Sequence, residues 1–249
     1  MDKSARYEAQ RDVAHTVNCG YRDISRINPH FHQSIEITYL IKGQVDFHIG
    51  ANCFRMSEGQ ISFVPGYFAH YTDRQDETND KTNAAVLIIP KKYCDEFYRE
   101  TGNESYFLLD DAEKNKRIGK LMTELADGID GMNELLIKAY VNMILGLIRQ
   151  NYAPVCLNNA NNDLMLQIIE YIDAHYSEKL TLSSLSDRFG YSKYYFSRLF
   201  NKTFNCNLNA YVNSVRARAV NEKKGEGKIT ELIIESGFNT LSSYYRTIK

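Results

Sequence analysis

The sequence predicts two domains of different class: an all-β half closed by a helical segment, and an all-α half built on a repeated helix-turn-helix. Residues 20 to 90 alternate apolar and polar side chains in short runs separated by turn residues, which is the period of strands. From residue 114 the apolar spacing becomes helical. Residues 182–200 and 229–248 then repeat one pattern: an apolar-spaced segment, a Gly followed by an aromatic, and a second short segment. At 249 residues the chain has room for two cores.

The β half reads in order as follows. Ile35 to Ile41 is β-branched and roughly alternating, and Lys42-Gly43 turns it. Val45 to Ile49 alternates and ends at Gly50-Ala51-Asn52. Short strands follow at Cys53 to Met56, Gln60 to Val64 and Ala84 to Ile89, with turn signals between them. Short strands at this spacing predict a small sandwich or barrel over residues 1–112. Helices are predicted at 114–127 and 133–150, broken at Asp130-Gly131, and together they make a segment over 113–152. The second is apolar over more than one face, more than one sheet requires, so dimerisation is expected there, with Leu136, Tyr140, Met143 and Leu147 as the seam. Pro154 to Asn162, with its run of asparagines, marks a linker over 153–162, and the C-terminal domain runs over 163–249.

That domain begins with a helix from Leu164 to Ser177 that turns Leu164, Ile168, Ile169 and Ile172 inward. In the first repeat Leu182, Leu185 and Phe189 form the buried face of a supporting helix, and Ser186 sits where two helices cross. Gly190 is free to take positive φ and close the turn. Phe196, Leu199 and Phe200 bury the second helix and leave Lys193, Tyr194, Ser197, Arg198 and Lys202 outward. Arg198 suits bidentate reading of guanine, Tyr194 suits a thymine methyl, and Lys193 and Lys202 suit phosphate. Asn207 to Lys224 is a connecting helix about 27 Å long, a scale that holds two recognition helices about one DNA turn apart. The second repeat has the same Gly-aromatic pair, Gly237-Phe238, and the same aromatic-x-Arg, Tyr244 and Arg246, with one extra residue in between.

The formal net charge of −1 points to no partner, but it is unevenly spread: +3 from residue 160 onward and −4 before it. The five cysteines are odd in number, scattered and without a CxxC pair, which reads as reduced thiols. The first twelve residues lack the apolar core of a signal peptide, and the most apolar helix contains Lys138 and Asn142 and is too short for a bilayer. A cytoplasmic protein with no membrane partner is expected.

In the β half, HFHQSIEITYLIKG places His30, His32 and Glu36 at even positions, which share one face of an extended chain. Gly59, Pro65-Gly66 and His70 follow. Three imidazoles and a carboxylate suit a divalent ion such as iron, manganese, nickel, copper or zinc. The spacing resembles the two motifs of the cupin fold, H-x-H-x3-E-x6-G and G-x5-P-x4-H, which implies a cupin-like barrel. The expectation is that His30, His32, Glu36 and His70 line an effector pocket without a bound metal or other cofactor, and that the domain is not an enzyme. The alternative is a metal-dependent cupin enzyme, an isomerase or dioxygenase. His48 reads as a satisfied side chain, and tyrosines such as Tyr39, Tyr67 and Tyr71 as packing, with stacking on a sugar as the other option.

GYSKYYFSRLFNKTFNCNLNAYVNSVRARAV and ITELIIESGFNTLSSYYRTIK resemble the DNA-binding domain of the AraC/XylS family of bacterial transcription regulators. The resemblance covers 163–249. It implies base contacts from Tyr194, Ser197 and Arg198 in the first unit, and from Leu241, Ser242, Tyr245 and Arg246 in the second. It implies a homodimer that binds double-stranded DNA under the control of a small-molecule effector. Two departures stand out. Ile233 occupies a position where the family has a small residue. The sequence also stops within the second recognition helix, where the family continues through one more, so residues from about 240 are expected to be weakly held. A dimerising antagonist unable to bind DNA is the alternative that this departure raises.

Overall fold

The computed structural model describes residues 6–8, 16–50, 52–73, 81–102, 104–156, 160–204 and 207–248. The chain divides into two compact bodies, one over Thr16–Leu157 and one containing Asn158–Lys249 together with Met1–His15. The expected division into a β half and a helical half is observed. The helices at 112–151 share the body of the sheets.

After a two-residue strand β1 (Arg6–Tyr7), the first body contains β2 (Asn18–Arg22), β3 (Ile27–Phe31), β4 (Ile35–Lys42), β5 (Gln44–Ile49), β6 (Asn52–Ser57), β7 (Ile61–Val64), β8 (His70–Asp73) and β9 (Asn83–Ile89). Short pairs β10 (Glu104–Ser105) with β12 (Val155–Cys156), and β11 (Leu108–Leu109) with β7, complete it. Within this body β3, β8, β5 and β6 are neighbours in one antiparallel sheet, and β11, β7, β4, β9 and β2 in the other. The alternation along β4 explains the layering. Its odd residues Ile35 and Ile37 join Ile61, Phe63, Ala85 and Leu87 against the helices. Its even residue Leu40 joins Val45, Phe47, Ile49 and Val86 between the sheets. Glu36 and Thr38 share that even face and are therefore carried inside. Among the elements of four or more residues, β2, β3, β8 and the helix α1 (Asp95–Thr101) escaped sequence reading. The first two are short, polar runs that form by pairing with β9 and β8.

Helices α2 (Ala112–Gly128) and α3 (Glu134–Asn151) cover one sheet. Asp111 caps α2 by accepting from the Glu113 and Lys114 amides, and Asn133 caps α3 through the Leu136 amide. α3 buries Val141, Ile144, Leu145 and Ile148. Its remaining apolar side chains divide. Leu135 is 78% exposed and Met143 45%, with Leu136 similar, whereas Tyr140 and Leu147 are half-buried against the body's own core. The expected seam of Leu136, Tyr140, Met143 and Leu147 is thus only half available. The free stripe is Leu135, Leu136 and Met143. Among the described residues, no helix is long and apolar enough to cross a membrane.

The second body contains α4 (Ala160–His175), α5 (Leu182–Arg188), α6 (Lys193–Phe204), α7 (Leu208–Glu222), α8 (Ile229–Glu235) and α9 (Leu241–Thr247). Helix α4 thus starts inside the segment read as linker, at Ala160. Ile168, Ile169 and Ile172 are fully buried, as their spacing predicts. So are Phe196, Phe200 and Tyr211, with Phe200 edge-on to Tyr211 at 5.6 Å between ring centroids. Around the second unit Ala217, Val220, Leu232, Ile233, Phe238 and Tyr244 form a separate small core. Ile233 is fully buried there, so the larger residue is absorbed. Tyr244 takes its packing from residues upstream of it, while Ile248 stays exposed.

Candidate nucleic-acid interface and sensing site

The two repeats fold into one local design. At the end of α5 the Gly190 amide donates to the Asp187 carbonyl and the Tyr191 amide to Ser186. At the end of α8 the Gly237 amide donates to Ile234 and the Phe238 amide to Ile233. Both are Schellman closures, which need a left-handed residue after the helix. Gly190 and Gly237 supply it with φ of 74° and 88°. Beyond each closure a new helix starts on a hydroxyl cap: Ser192 Oγ accepts from the Tyr195 amide, and Thr240 Oγ1 from the Ser243 amide. The extra residue of the second repeat lies in this turn, which leaves the helix faces in register.

Helix α6 buries Phe196 and Phe200 and turns Lys193, Tyr194 and Arg198 to solvent, with Ser197 half-buried beside them. These four positions lie on one side of the helix, one turn apart. Tyr194 is 72% exposed, which is far from ordinary for a tyrosine. The Arg198 guanidinium lies over its ring at 5.5 Å, and one nitrogen donates to its hydroxyl at 3.4 Å. Helix α9 places Leu241, Ser242, Tyr245 and Arg246 on the corresponding exposed side. The side chain of Lys202 lies outside the described residues. Tyr195, exposed and stacked on Tyr191 at 5.2 Å, is a further aromatic on this surface that the repeat did not single out. Arg216, on α7, ties the start of the domain in place. It donates to the carbonyls of Tyr176 at 2.7 Å and Glu178 at 2.8 Å.

The first body brings His30, His32, Glu36 and His70 together, as their spacing predicts. His30 and His70 are cross-strand partners on β3 and β8, and Glu36 enters from β4 in the opposite sheet. His32 follows β3 in a turn. There the Pro65-Gly66 backbone passes so close that a Cβ on Gly66 would meet the Gln33 carbonyl oxygen, and the Tyr67 amide donates to the His32 carbonyl at 2.7 Å. The four side chains are between 1% and 6% exposed. One potential ligand atom from each lies within 4.8 Å of the others. His32 Nε2 is 3.2 Å from Glu36 Oε2, and His70 Nε2 is 3.5 Å from Oε1. Burial, with the neighbouring His70, drives the His30 pKa down to about 3. Burial alone would raise Glu36, but His70 and His32 outweigh it and hold the carboxyl well below its usual range. His48 lies apart from this group, 3.1 Å from Asp73 and stacked on Tyr71.

Comparison with known proteins matches both regions. Residues 172–213 match the model described as bacterial regulatory helix-turn-helix proteins, AraC family, and residues 19–83 match the AraC-like ligand binding domain. The first match covers the first helix-turn-helix unit and the start of α7. An uncharacterized HTH-type transcriptional regulator of Staphylococcus aureus (strain COL) is 25% identical over 238 residues, covering 91% of this chain and 31% of that protein. The chain therefore spans about a third of that relative's length. An uncharacterized HTH-type transcriptional regulator of Bacillus subtilis (strain 168) is 28% identical over 86 residues, 34% of this chain and 28% of its own. Among solved structures, ToxT from Vibrio cholerae O395 aligns over 94% of this chain and 92% of its own, with 11% identity and a TM-score of 0.47.

Proposed function

We propose that this chain, which joins an AraC-like ligand-binding domain to an AraC-family helix-turn-helix region, is a sequence-specific transcription regulator acting in the cytoplasm under the control of a small effector. The observation that carries the reading is the exposed Lys193, Tyr194, Ser197 and Arg198 side of α6, reproduced by Leu241, Ser242, Tyr245 and Arg246 on α9. A recognition helix presents such a row to base edges in the major groove, and two of them read successive turns. The effector binds between the sheets, beside His30, His32, Glu36 and His70, and shifts how the DNA-binding halves are presented.

Arg198→Ala is expected to weaken specific binding by roughly 1–3 kcal/mol, because a bidentate base contact is lost. Random DNA of the same length is expected to lose much less. Fluorescence anisotropy of the full chain on the DNA flanking its own coding sequence, against random duplex, measures both. Equal losses on the two would show that Arg198 only neutralises phosphate.

The working form in this reading is a homodimer that pairs through the exposed stripe of α3. Leu135, Leu136 and Met143 leave apolar surface that the body itself does not cover. Met143→Glu with Leu136→Glu is expected to give monomers in analytical ultracentrifugation with the β body still folded. Leu147 is the wrong target, because it packs inward. A monomeric unmodified protein at micromolar concentration would sink the idea.

A further inference from the structure

We propose that the cleft between the two helix-turn-helix units binds a phosphate group through Arg216 and Lys179. The cleft has a volume of about 710 Å³. Its walls are the segment 177–181 ahead of α5, one side of α7, and the turn that joins α8 to α9. Arg216 is its fixed cation. Nε donates to the Tyr176 carbonyl at 2.7 Å, and Nη2 to the Glu178 carbonyl at 2.8 Å. The turn of the second unit crowds the same group: a Cβ on Gly237 would come within 2.9 Å of Arg216 Nε and 2.7 Å of the Ser177 carbonyl oxygen. The guanidinium is therefore held in place before any ligand arrives. Of the five N–H groups of an arginine, three remain here, all on Nη1 and Nη2, for the oxygens of an anion.

The charge of Arg216 is not met within the body. Two residues along α7, Arg218 pairs with Asp173 at 2.9 Å, whereas Arg216 has only neutral carbonyls. Among the described residues no carboxylate forms an ion pair with Arg216 or with Lys179. Arg216 is half-buried, and burial presses its pKa below the usual arginine value. A partly desolvated cation without a counter-charge is costly, and an anion in the cleft relieves that cost. Neutral donors stand around the two cations. The side-chain amides of Asn209, Asn213 and Asn239 line the cleft and make no hydrogen bond among the described residues. Glu178 is the only acid among the lining residues.

The volume is that of a pocket for a whole small molecule. Leu180, Val212 and Phe238 give it an apolar wall. Two cations, free amides and an apolar wall suit a phosphate bonded to an organic group. A phosphate monoester brings three acceptor oxygens and nearly two charges, where a carboxylate brings two oxygens and one charge. The same chemistry has a second source, the DNA backbone, on the reading of this body as DNA-binding. One backbone phosphate leaves most of such a cleft unfilled, which favours the free ester, and the ester does not rest on that reading.

The test titrates the full chain with phenyl phosphate, inorganic phosphate and acetate at matched ionic strength. Calorimetry and the Arg216 Nε–H resonance report binding. Phenyl phosphate is expected to saturate one site per chain, more tightly than inorganic phosphate and roughly tenfold or more above acetate. Lys179→Ala is expected to weaken it roughly tenfold, and Asn213→Asp, which sets a carboxylate in the cleft, to abolish it. Lys224→Ala, outside the cleft, is expected to keep it. Lys179 and Asn213 lie outside the buried core, so these variants decide the matter even where Arg216→Gln does not fold. Random duplex DNA separates the two sources. Duplex and phenyl phosphate bound together assign the cleft to the free ester. Duplex affinity that falls in both Lys179→Ala and Asn213→Asp, with no binding of the free probes, assigns it to a backbone phosphate. No saturable binding of either phosphate probe, with duplex affinity unchanged in both variants, overturns the proposal, and so does acetate bound as tightly as phenyl phosphate. Ester binding by a chain that binds no DNA counts against the regulator reading alone.

Discussion

Replacing Phe200 with Ala is expected to destabilise the C-terminal body by about 3–5 kcal/mol and to abolish DNA binding, while the body over 16–157 stays folded. Phe200 is fully buried, stacked on Phe196 at 6.3 Å and edge-on to Tyr211. It is the point where helix α6 meets helix α7. A body of this size has about 5–14 kcal/mol in total, so the loss removes a large share of it. Each kcal/mol moves the midpoint of such a domain by about 4–8 °C. A fall of more than roughly 12 °C is therefore expected. Hydrogen exchange on the full chain resolves the two bodies. Unchanged protection in 182–222 would mean that α6 is held by something other than this aromatic layer.

The same packing shows why the helix-turn-helix half was readable in sequence. A helix-turn-helix writes its constraints locally: the left-handed residue at Gly190, the aromatic after it, the small Ser186 at the crossing, and apolar residues at helical spacing. The cluster of His30, His32, Glu36 and His70 was legible for a similar reason, since three of the four lie at even spacing on adjacent extended segments. The orientation of its rings was not legible. The carbonyls of Asn28, Ser34 and Phe68 that fix each Nδ1 are backbone groups two residues away, and they carry no side-chain signal. The face of α3 was not legible either. A helix apolar over more than one face states that it buries more than one side, but only the position of the sheet decides that Tyr140 and Leu147 turn inward while Leu135 turns out. Strands β2 and β3 failed for the opposite reason. Asn18-Cys19-Gly20-Tyr21-Arg22 and Ile27-Asn28-Pro29-His30-Phe31 have little intrinsic preference, and their partners make them strands.

Arg218→Met is expected to cost about 3–5 kcal/mol, as large an effect as removing an aromatic from the core. The Arg218 guanidinium donates to Asp173 at 2.9 Å, with the two side chains only 11% and 13% exposed. This ion pair joins α4 to α7. Arg216, two residues earlier on the same helix, anchors the chain just beyond α4 through the Tyr176 and Glu178 carbonyls. Removing the arginine takes the cation away from a carboxylate that is poorly solvated, and the desolvated charge accounts for most of the cost. A pair that stabilised mainly by attraction would be missed equally in the double variant. A pair whose cost lies in the desolvated charge would not: Asp173→Leu with Arg218→Met is expected to recover most of the loss, since apolar groups of similar volume replace such pairs at little cost. Urea unfolding of the unmodified chain, both single variants and the double variant closes the cycle. A double variant as unstable as the sum of the singles would show that Arg218 and Asp173 act independently, each through its other neighbours, and that the frame between α4 and α7 does not depend on their bond.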